Sequence, residues 1–201
     1  MKRLFVFLVS LAFISCINAQ DLKKEDATPA LDSTCISMQE LELYRLINEY
    51  RQDSGLRIIP LSKQLTYVAQ LHCRDLSEHY KIEESCNLHS WSESERWSSC
   101  CYTPDHKHAR CMWDKPRELT HYYGDGYEIA FYTNIDEELG DLPKSALAHW
   151  KESSGHNNVL VNQNAFKDAK WNAVGIGIYK NFVCVWFGMV TDPFPLPELC
   201  E

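Results

Sequence analysis

Two neighbouring apolar segments near the C-terminus constrain the fold more than any other feature of this chain. Residues 171–179 and 182–187 have the pattern of two strands joined by a tight Lys-Asn turn, which predicts a β-hairpin. The second strand is apolar on both of its alternating faces, as expected when a strand is covered on both sides. Gly175 and Gly177 share one face of the first strand, so another element must pack very close to its backbone. These features predict an α/β fold with helices on both sides of an antiparallel sheet.

Three helices are expected around this sheet. The first begins after Ser37, which forms a capping-box pattern with Glu40, and it ends near residues 53–55. The second covers about residues 62–80, and the third covers about residues 142–155, with a proline in its first turn and Gly155 at its end. The buried face of the second helix is expected to carry Leu65, Val68, Ala69, His72 and Leu76.

The N-terminal residues have the layout of a secretion signal. Two basic residues precede an apolar run over residues 4–14, and a short polar segment leads to Ala19. This pattern predicts a signal peptide over residues 1–19 and a secreted, extracellular protein. The run is too short to span a bilayer, so no transmembrane segment is expected. The alternative is a lipoprotein-type signal, in which an acylated Cys16 would anchor the protein to the cell envelope.

Residues 20–34 are polar, charged and without hydrophobic period, which predicts a flexible leader. One folded domain over residues 35–201 is then of ordinary size, with enough length for a hydrophobic core. The formal charge of −8 becomes −10 without Lys2 and Arg3, because eighteen basic residues then face 28 acidic ones. This excess of negative charge disfavours nucleic acid and anionic membrane surfaces as partners.

Eight cysteines remain after removal of the signal, and an even number in an exported chain predicts up to four disulfides. They are Cys35, Cys73, Cys86, Cys100, Cys101, Cys111, Cys184 and Cys200. The pairing is not fixed by the sequence, but Cys200 follows a proline-rich tail and is expected to hold that tail against the domain. Three of the eight lie in a long irregular segment, residues 91–125, where disulfides are the expected constraint.

Three polar side chains stand in segments with a distinctive local sequence. His89 lies in Asn-Leu-His-Ser-Trp, Glu128 lies in Gly-Tyr-Glu-Ile-Ala, and His156 is expected in the loop that follows the third helix. Two imidazoles and a carboxylate brought together can bind a divalent metal, move a proton, or simply hydrogen-bond to one another.

The order of these segments resembles the CAP superfamily, the group of cysteine-rich secretory proteins, antigen 5 and pathogenesis-related proteins, in a form similar to its bacterial branch. The resemblance covers about residues 37–190. It implies an α-β-α sandwich with a central antiparallel sheet, and a cleft with two histidines and two glutamates that can bind zinc. Carried over to this chain, the metal ligands are His89, His156 and Glu128. Ser153 occupies the position of the second glutamate, which puts in doubt any mechanism that needs both. The insertion at 91–125 lies outside the family pattern.

This resemblance implies a non-enzymatic extracellular binding module whose cleft takes up a divalent metal and recognises a lipid, glycan or protein ligand. The alternative is a metal-assisted hydrolase of peptides or cell-wall material that uses the same cleft, with Glu128 as ligand or base. A serine nucleophile is disfavoured, because no serine near the histidines lies in a Gly-x-Ser-x-Gly elbow. The sequence does not fix the oligomeric state.

Two features of the 91–125 segment have alternative interpretations. The loop over residues 105–108, with Cys111, is expected to be solvated rather than a second metal site. The aromatic residues of the segment form either a small core of their own or the lining of a carbohydrate or lipid groove. They are Trp91, Trp97, Trp113, Tyr122 and Tyr123.

Overall fold

The computed structural model describes residues 31–81 and 85–201. In chain order its elements are β1 (Cys35–Ile36), α1 (Met38–Asp53), α2 (Lys63–His79), α3 (Arg110–Trp113), α4 (Lys115–Leu119), β2 (Gly126–Tyr132), α5 (Asp136–Leu139), α6 (Leu142–Glu152), α7 (Ser154–Leu160), a 3-10 turn (Asn164–Phe166), β3 (Ala173–Tyr179), β4 (Phe182–Gly188) and β5 (Glu198–Leu199). Strands β2, β4 and β3 form the central antiparallel sheet in that order, while β1 and β5 pair in parallel.

Strand β4 lies in the middle of the central sheet, and all seven of its residues are buried. Its Cys184 and Trp186 face a core that includes the apolar side chains of α2. Its Val183 and Val185 belong to a second core, on the other face, that includes residues of α1 and α6. The predicted α-β-α sandwich with a central antiparallel sheet is therefore confirmed.

The two glycines of β3 mark the place where α2 contacts the sheet. A Cβ atom added to Gly175 would lie 2.0 Å from the backbone carbon of Leu65, and one added to Gly177 would lie 2.3 Å from that of Ala69. Both distances are shorter than any real carbon contact, so helix and strand pack backbone against backbone. The close approach expected from the glycine pair is confirmed, and the approaching element is α2.

The ends of α1 and α2 agree with the predictions. The Ser37 hydroxyl accepts a hydrogen bond from the Glu40 amide at 3.3 Å, and the Glu40 carboxylate accepts one from the Ser37 amide at 2.7 Å. This capping box starts α1, which ends at Asp53. Helix α2 begins after Ser62, whose hydroxyl caps it, and it ends at His79.

The predicted third helix is confirmed from Leu142, but its predicted end at Gly155 is wrong by three residues. Helix α6 ends at Glu152, because Ser153 has an extended backbone, with φ −84° and ψ 112°, that cannot continue the helix. The Ser153 carbonyl then accepts a hydrogen bond from the Asn157 amide at 2.8 Å, and a new helix, α7, begins. Gly155 therefore lies inside α7 rather than closing α6, and His156 is on a helix rather than in a loop.

Three disulfides join six of the eight cysteines. Cys35 pairs with Cys200, Cys86 pairs with Cys101, and Cys100 pairs with Cys111. The expectation that Cys200 holds the C-terminal tail against the domain is confirmed. The other two of the eight, Cys73 and Cys184, are buried thiols, so three of the up to four expected disulfides are formed.

The segment over residues 91–125 packs onto the core rather than standing apart from it. Trp91, Trp97 and Tyr122 are buried in the same cluster as the apolar face of α2. Trp113 is half-buried against Tyr127, and Tyr123 is exposed. The structure therefore favours a core contribution of these aromatic residues over a groove lining.

The signal peptide, the alternative anchor at Cys16 and most of the expected leader lie outside the described residues. Of the leader, only residues 31–34 are described, and Leu31 is buried in the core, with 1% of its surface exposed. Among the described residues, no helix is both long and apolar enough to cross a membrane.

Replacing Gly177 with alanine tests the contact between α2 and β3. The added methyl group would overlap the Ala69 backbone, which cannot move aside, so we expect the free energy of unfolding to fall by roughly 3 kcal/mol. Urea denaturation measures this change. Gly155→Ala is the matched control, because no atom lies within 4 Å of its added methyl group and alanine favours a helix. An equal loss of stability in both variants would contradict the close backbone contact between α2 and β3 at Gly177.

Candidate functional site

The carboxylate of Glu128 is the centre of a buried polar cluster. Its side chain extends from β2 toward α2, and none of it is exposed. One oxygen lies 2.6 Å from Nδ1 of His72 on α2, and the other lies 2.8 Å from Nδ1 of His89, in the loop that follows α2. Glu128 and His89, which the sequence predicts to lie in one cleft, are in direct contact. The structure adds His72 as a second partner of the same carboxylate.

His72 is held between two hydrogen-bond acceptors. Its Nε2 lies 3.0 Å from the carbonyl oxygen of Ser90, which can only accept, so Nε2 carries a proton. The ring also stacks on Trp91, with 4.3 Å between ring centroids and 6° between planes. Because Nδ1 faces the carboxylate of Glu128, a second proton on the ring completes both hydrogen bonds and gives an imidazolium–carboxylate pair.

The pKa shifts of the pair agree with this protonation state. Burial alone would lower the pKa of His72, but the charge and hydrogen bond of Glu128 outweigh burial, and the pKa is raised. Burial alone would raise the pKa of Glu128, but the two histidines outweigh it and lower that pKa to about 2. Both shifts favour the charged forms, so Glu128 is a carboxylate with an imidazolium beside it.

The hydrogen bond to Glu128 also decides the tautomer of His89. Since the carboxylate accepts, Nδ1 of His89 carries the proton, and in the neutral ring Nε2 is left with its lone pair. The side chain is 17% exposed, and its ring packs edge-on against Tyr102 with centroids 5.1 Å apart. The His89 amide donates to the Asn87 side chain at 3.0 Å, which fixes the loop. His89 therefore has a fixed ring that is partly open to solvent.

His156 lies in a cleft of about 380 Å³ beside this cluster. Ser153, Trp150 and Leu88, the residue before His89, line the same cleft. Burial, together with repulsion from His89, lowers the pKa of His156 to about 4, so the ring is neutral at neutral pH. The structure thus brings His156 within electrostatic range of His89 but forms no hydrogen bond between His156 and Glu128.

Among residues 31–81 and 85–201, one group of three side chains has the spacing to hold a metal ion. His72, Glu128 and Cys184 have ligand atoms within 4.8 Å of one another, so this buried group could hold an ion. Its histidine nitrogen and carboxylate oxygen already bond to each other at 2.6 Å, and an ion would have to break that bond. His89 and His156, the two histidines of the predicted ligand set, are not part of this group and lie beside the cleft. Imidazole nitrogens of this kind fit zinc and similar divalent metals.

His72 and Cys184 were not among the site residues expected from the sequence. His72 falls on the apolar face of α2, where a histidine is more often a core residue than a functional one. Cys184 lies in the centre of β4, with its sulfur 3.8 Å from Nδ1 of His72. Its position opposite Ala130 on β2, two residues from Glu128, could be recognised only once the strand register was known.

A protein-family model matches most of this chain. The model of the cysteine-rich secretory protein family, the CAP family, matches residues 44–185. This chain belongs to the CAP family. The matched residues include all four predicted cleft residues, His89, Glu128, Ser153 and His156, and the resemblance noted in the sequence is confirmed. None of the curated proteins matches this CAP domain.

Two solved structures to which this chain is similar are bacterial proteins. An extracellular protein with an SCP domain from Bacillus anthracis str. Ames has 17% identity and a TM-score of 0.50, over 75% of this chain and 40% of that protein. An outer surface protein of Borrelia burgdorferi has 17% identity and a TM-score of 0.49, over 75% of this chain and 91% of that protein. The CAP domain described here therefore spans less than half of the Bacillus protein, and the similarity concerns the fold.

Replacing Glu128 with glutamine tests the buried ion pair. It removes the carboxylate that both histidines face, so we expect the free energy of unfolding to fall by roughly 3 kcal/mol at neutral pH. Because the pKa of Glu128 is lowered from 4.5 to about 2, its contribution is complete above the higher value and is lost as pH falls through the lower one. The difference between wild type and Glu128→Gln should therefore shrink over that range. Urea denaturation at a series of pH values measures it, and a difference independent of pH would contradict the ion pair.

Proposed function

We propose that this CAP domain is a secreted binding module in which His89 and His156 take up a divalent metal, zinc first among them, beside a ligand-binding cleft. The observation that supports this most is the hydrogen bond of 2.8 Å between Glu128 and Nδ1 of His89. A carboxylate behind a metal-binding histidine fixes the ring and makes its free nitrogen a better ligand. In this chain the Glu128–His89 pair lies beside His156, whose ring is neutral at neutral pH.

The role of Glu128 in this proposal differs from the one first expected. Both of its oxygens face imidazole nitrogens, so it orients His89 rather than reaching a metal itself. His72 neutralises its buried charge and also binds the Ser90 carbonyl next to His89. Two histidines leave the remaining positions of a tetrahedral zinc to water or to a ligand. A zinc ion held there would supply a Lewis-acidic position for an oxygen atom of that ligand.

The cleft walls favour a ligand with an apolar part. Leu88, Phe131, Ile135 and Trp150 are among the residues that line the cleft, and the volume of about 380 Å³ is within the range of small-molecule sites. His149 and Glu138, bonded to each other at 2.9 Å, form a polar edge. We therefore infer a lipid or an apolar protein side chain as the ligand, in preference to a glycan.

The alternative is a metal-assisted hydrolase. The Glu128–His89 pair has the geometry of a carboxylate that orients a general base, which is the observation in its favour. Against it, Glu128 is wholly engaged by imidazoles, and Ser153 occupies the position of the family's second glutamate. Ser153 also lies at the junction between α6 and α7 and forms no hydrogen bond to either cleft histidine.

Export by the signal over residues 1–19 is part of the proposal, with acylation at Cys16 as the alternative. The three disulfides support it, since such bonds persist in oxidising compartments. Mass spectrometry of the native N-terminus separates the two routes. A chain that begins after Ala19 without an acyl group fits secretion, and an acylated Cys16 fits an envelope anchor.

His156→Ala should weaken zinc binding at least about tenfold, because it removes one of two ligands and leaves the buried ion pair intact. Isothermal titration calorimetry with zinc measures the affinity, and circular dichroism shows whether the fold is kept. The matched control is His108→Ala, an exposed histidine in the loop over residues 105–108, which should bind zinc as wild type does. Unchanged affinity in His156→Ala would contradict the assignment, and a loss in His108→Ala would locate the metal in the loop.

We expect no turnover of pooled peptide, ester and peptidoglycan substrates by the mature protein, with or without zinc. The His89→Ala/His156→Ala double variant is assayed in parallel, so that a contaminating hydrolase is recognised by its persistence. Activity of the wild type that disappears in the double variant would replace the binding module with the hydrolase.

A further inference from the structure

A second cavity of about 470 Å³ lies away from the histidine cleft and shares no lining residue with it. Its walls come from residues 33–40, from α2 and from the end of β3, and the Cys35–Cys200 disulfide closes one side. Arg74 and Arg96 reach this cavity from different parts of the chain. We refer to it as the arginine pocket.

Aromatic rings position both arginine side chains. The guanidinium of Arg74 lies 4.9 Å from the ring centroid of Tyr179, which is a cation–π distance. Arg96 donates a hydrogen bond to the Tyr67 hydroxyl at 3.0 Å and lies 5.6 Å from the ring centroid of Trp97. Each guanidinium has five N–H donors, so most donors remain available to a ligand.

Neither arginine has a charge partner among residues 31–81 and 85–201. No carboxylate in those ranges forms an ion pair with Arg74 or Arg96. The acid that lines the pocket, Glu40, is 2% exposed. Its oxygens accept hydrogen bonds from the Ser37 amide, the Ile178 amide and the Gln70 side chain, so they are already occupied.

Arg74 and Arg96 place two positive charges, without an ion-pair partner within 4.0 Å among the described residues, around one concavity of a chain with a net charge of −8. The buried Glu40 carboxylate lines the same concavity and offsets part of that charge. Low-dielectric walls concentrate the field of such charges and attract anions of opposite sign. Guanidinium groups match carboxylate and phosphate oxygens in a two-pronged geometry, which adds directional hydrogen bonds to the attraction. The volume is within the range of sites for small organic molecules.

From these contacts we infer that the arginine pocket binds a small molecule through an oxyanion group, a carboxylate or a phosphate, held between Arg74 and Arg96. The tyrosine rings of Tyr67 and Tyr179 contact the uncharged part of that molecule. The site is separate from the metal-binding cleft, so the two can be occupied independently.

The test is calorimetric titration of the full mature protein with inorganic phosphate and, separately, with citrate, at low ionic strength where screening is weak. The variants are Arg74→Gln/Arg96→Gln and the control Arg45→Gln, which alters an exposed arginine of α1 outside the pocket. We expect saturable binding of at least one anion by wild type and by the control, with at least a tenfold loss in the double variant. The anion that binds identifies the group as phosphate or carboxylate.

Two outcomes would overturn the proposal that the arginine pocket binds an oxyanion. One is the absence of saturable binding of both anions by wild type, and the other is equal affinity in wild type and the double variant. Both arginines are exposed, so the double variant should keep the wild-type unfolding midpoint. The single variants Arg74→Lys and Arg96→Lys retain the charge but lose the forked donors, and they should bind with intermediate affinity.

Discussion

The packing of α2 directly against the backbone of β3 is the constraint on which the rest of the structure depends. A side chain larger than hydrogen at Gly175 or Gly177 would separate helix from strand. At this closest approach, α2 carries His72 over the sheet, where Glu128 projects from β2 on the same face. The buried ion pair therefore needs a helix that lies closer to the sheet than ordinary side chains permit.

The ion pair connects this packing to the candidate site. A carboxylate buried alone would be protonated or would destabilise the fold, because burial opposes its charged form. His72 supplies the balancing charge, which leaves the second oxygen of Glu128 to orient His89. The two histidines thus have different roles although they contact the same group. One compensates a charge inside the core, and the other presents a nitrogen at the cleft.

The parts of the fold that follow local rules could be predicted from the sequence. The hairpin, the glycine face, the Ser37 capping box and the start of α2 each depend on neighbouring residues, and each is confirmed. The end of α6 could not be predicted in this way, because a glycine shortly after a helix suggests a C-terminal cap, whereas the break depends on the backbone of Ser153. His72 was recognised as buried but not as a partner of Glu128, because their contact joins residues 56 positions apart. The metal site stays a prediction, with Glu128 moved from ligand to support.

The Cys35–Cys200 disulfide joins residues 165 positions apart, almost the whole folded domain. It encloses the central sheet and, except for Leu31, the residues of both cores in one covalent ring. If the segment before Cys35 is held and the segment after Cys200 is pulled, the force passes through the sulfur–sulfur bond instead of the strands. The histidine cleft, whose lining residues lie between the two cysteines, then experiences little of that tension, whereas the arginine pocket lies against the bond that carries it.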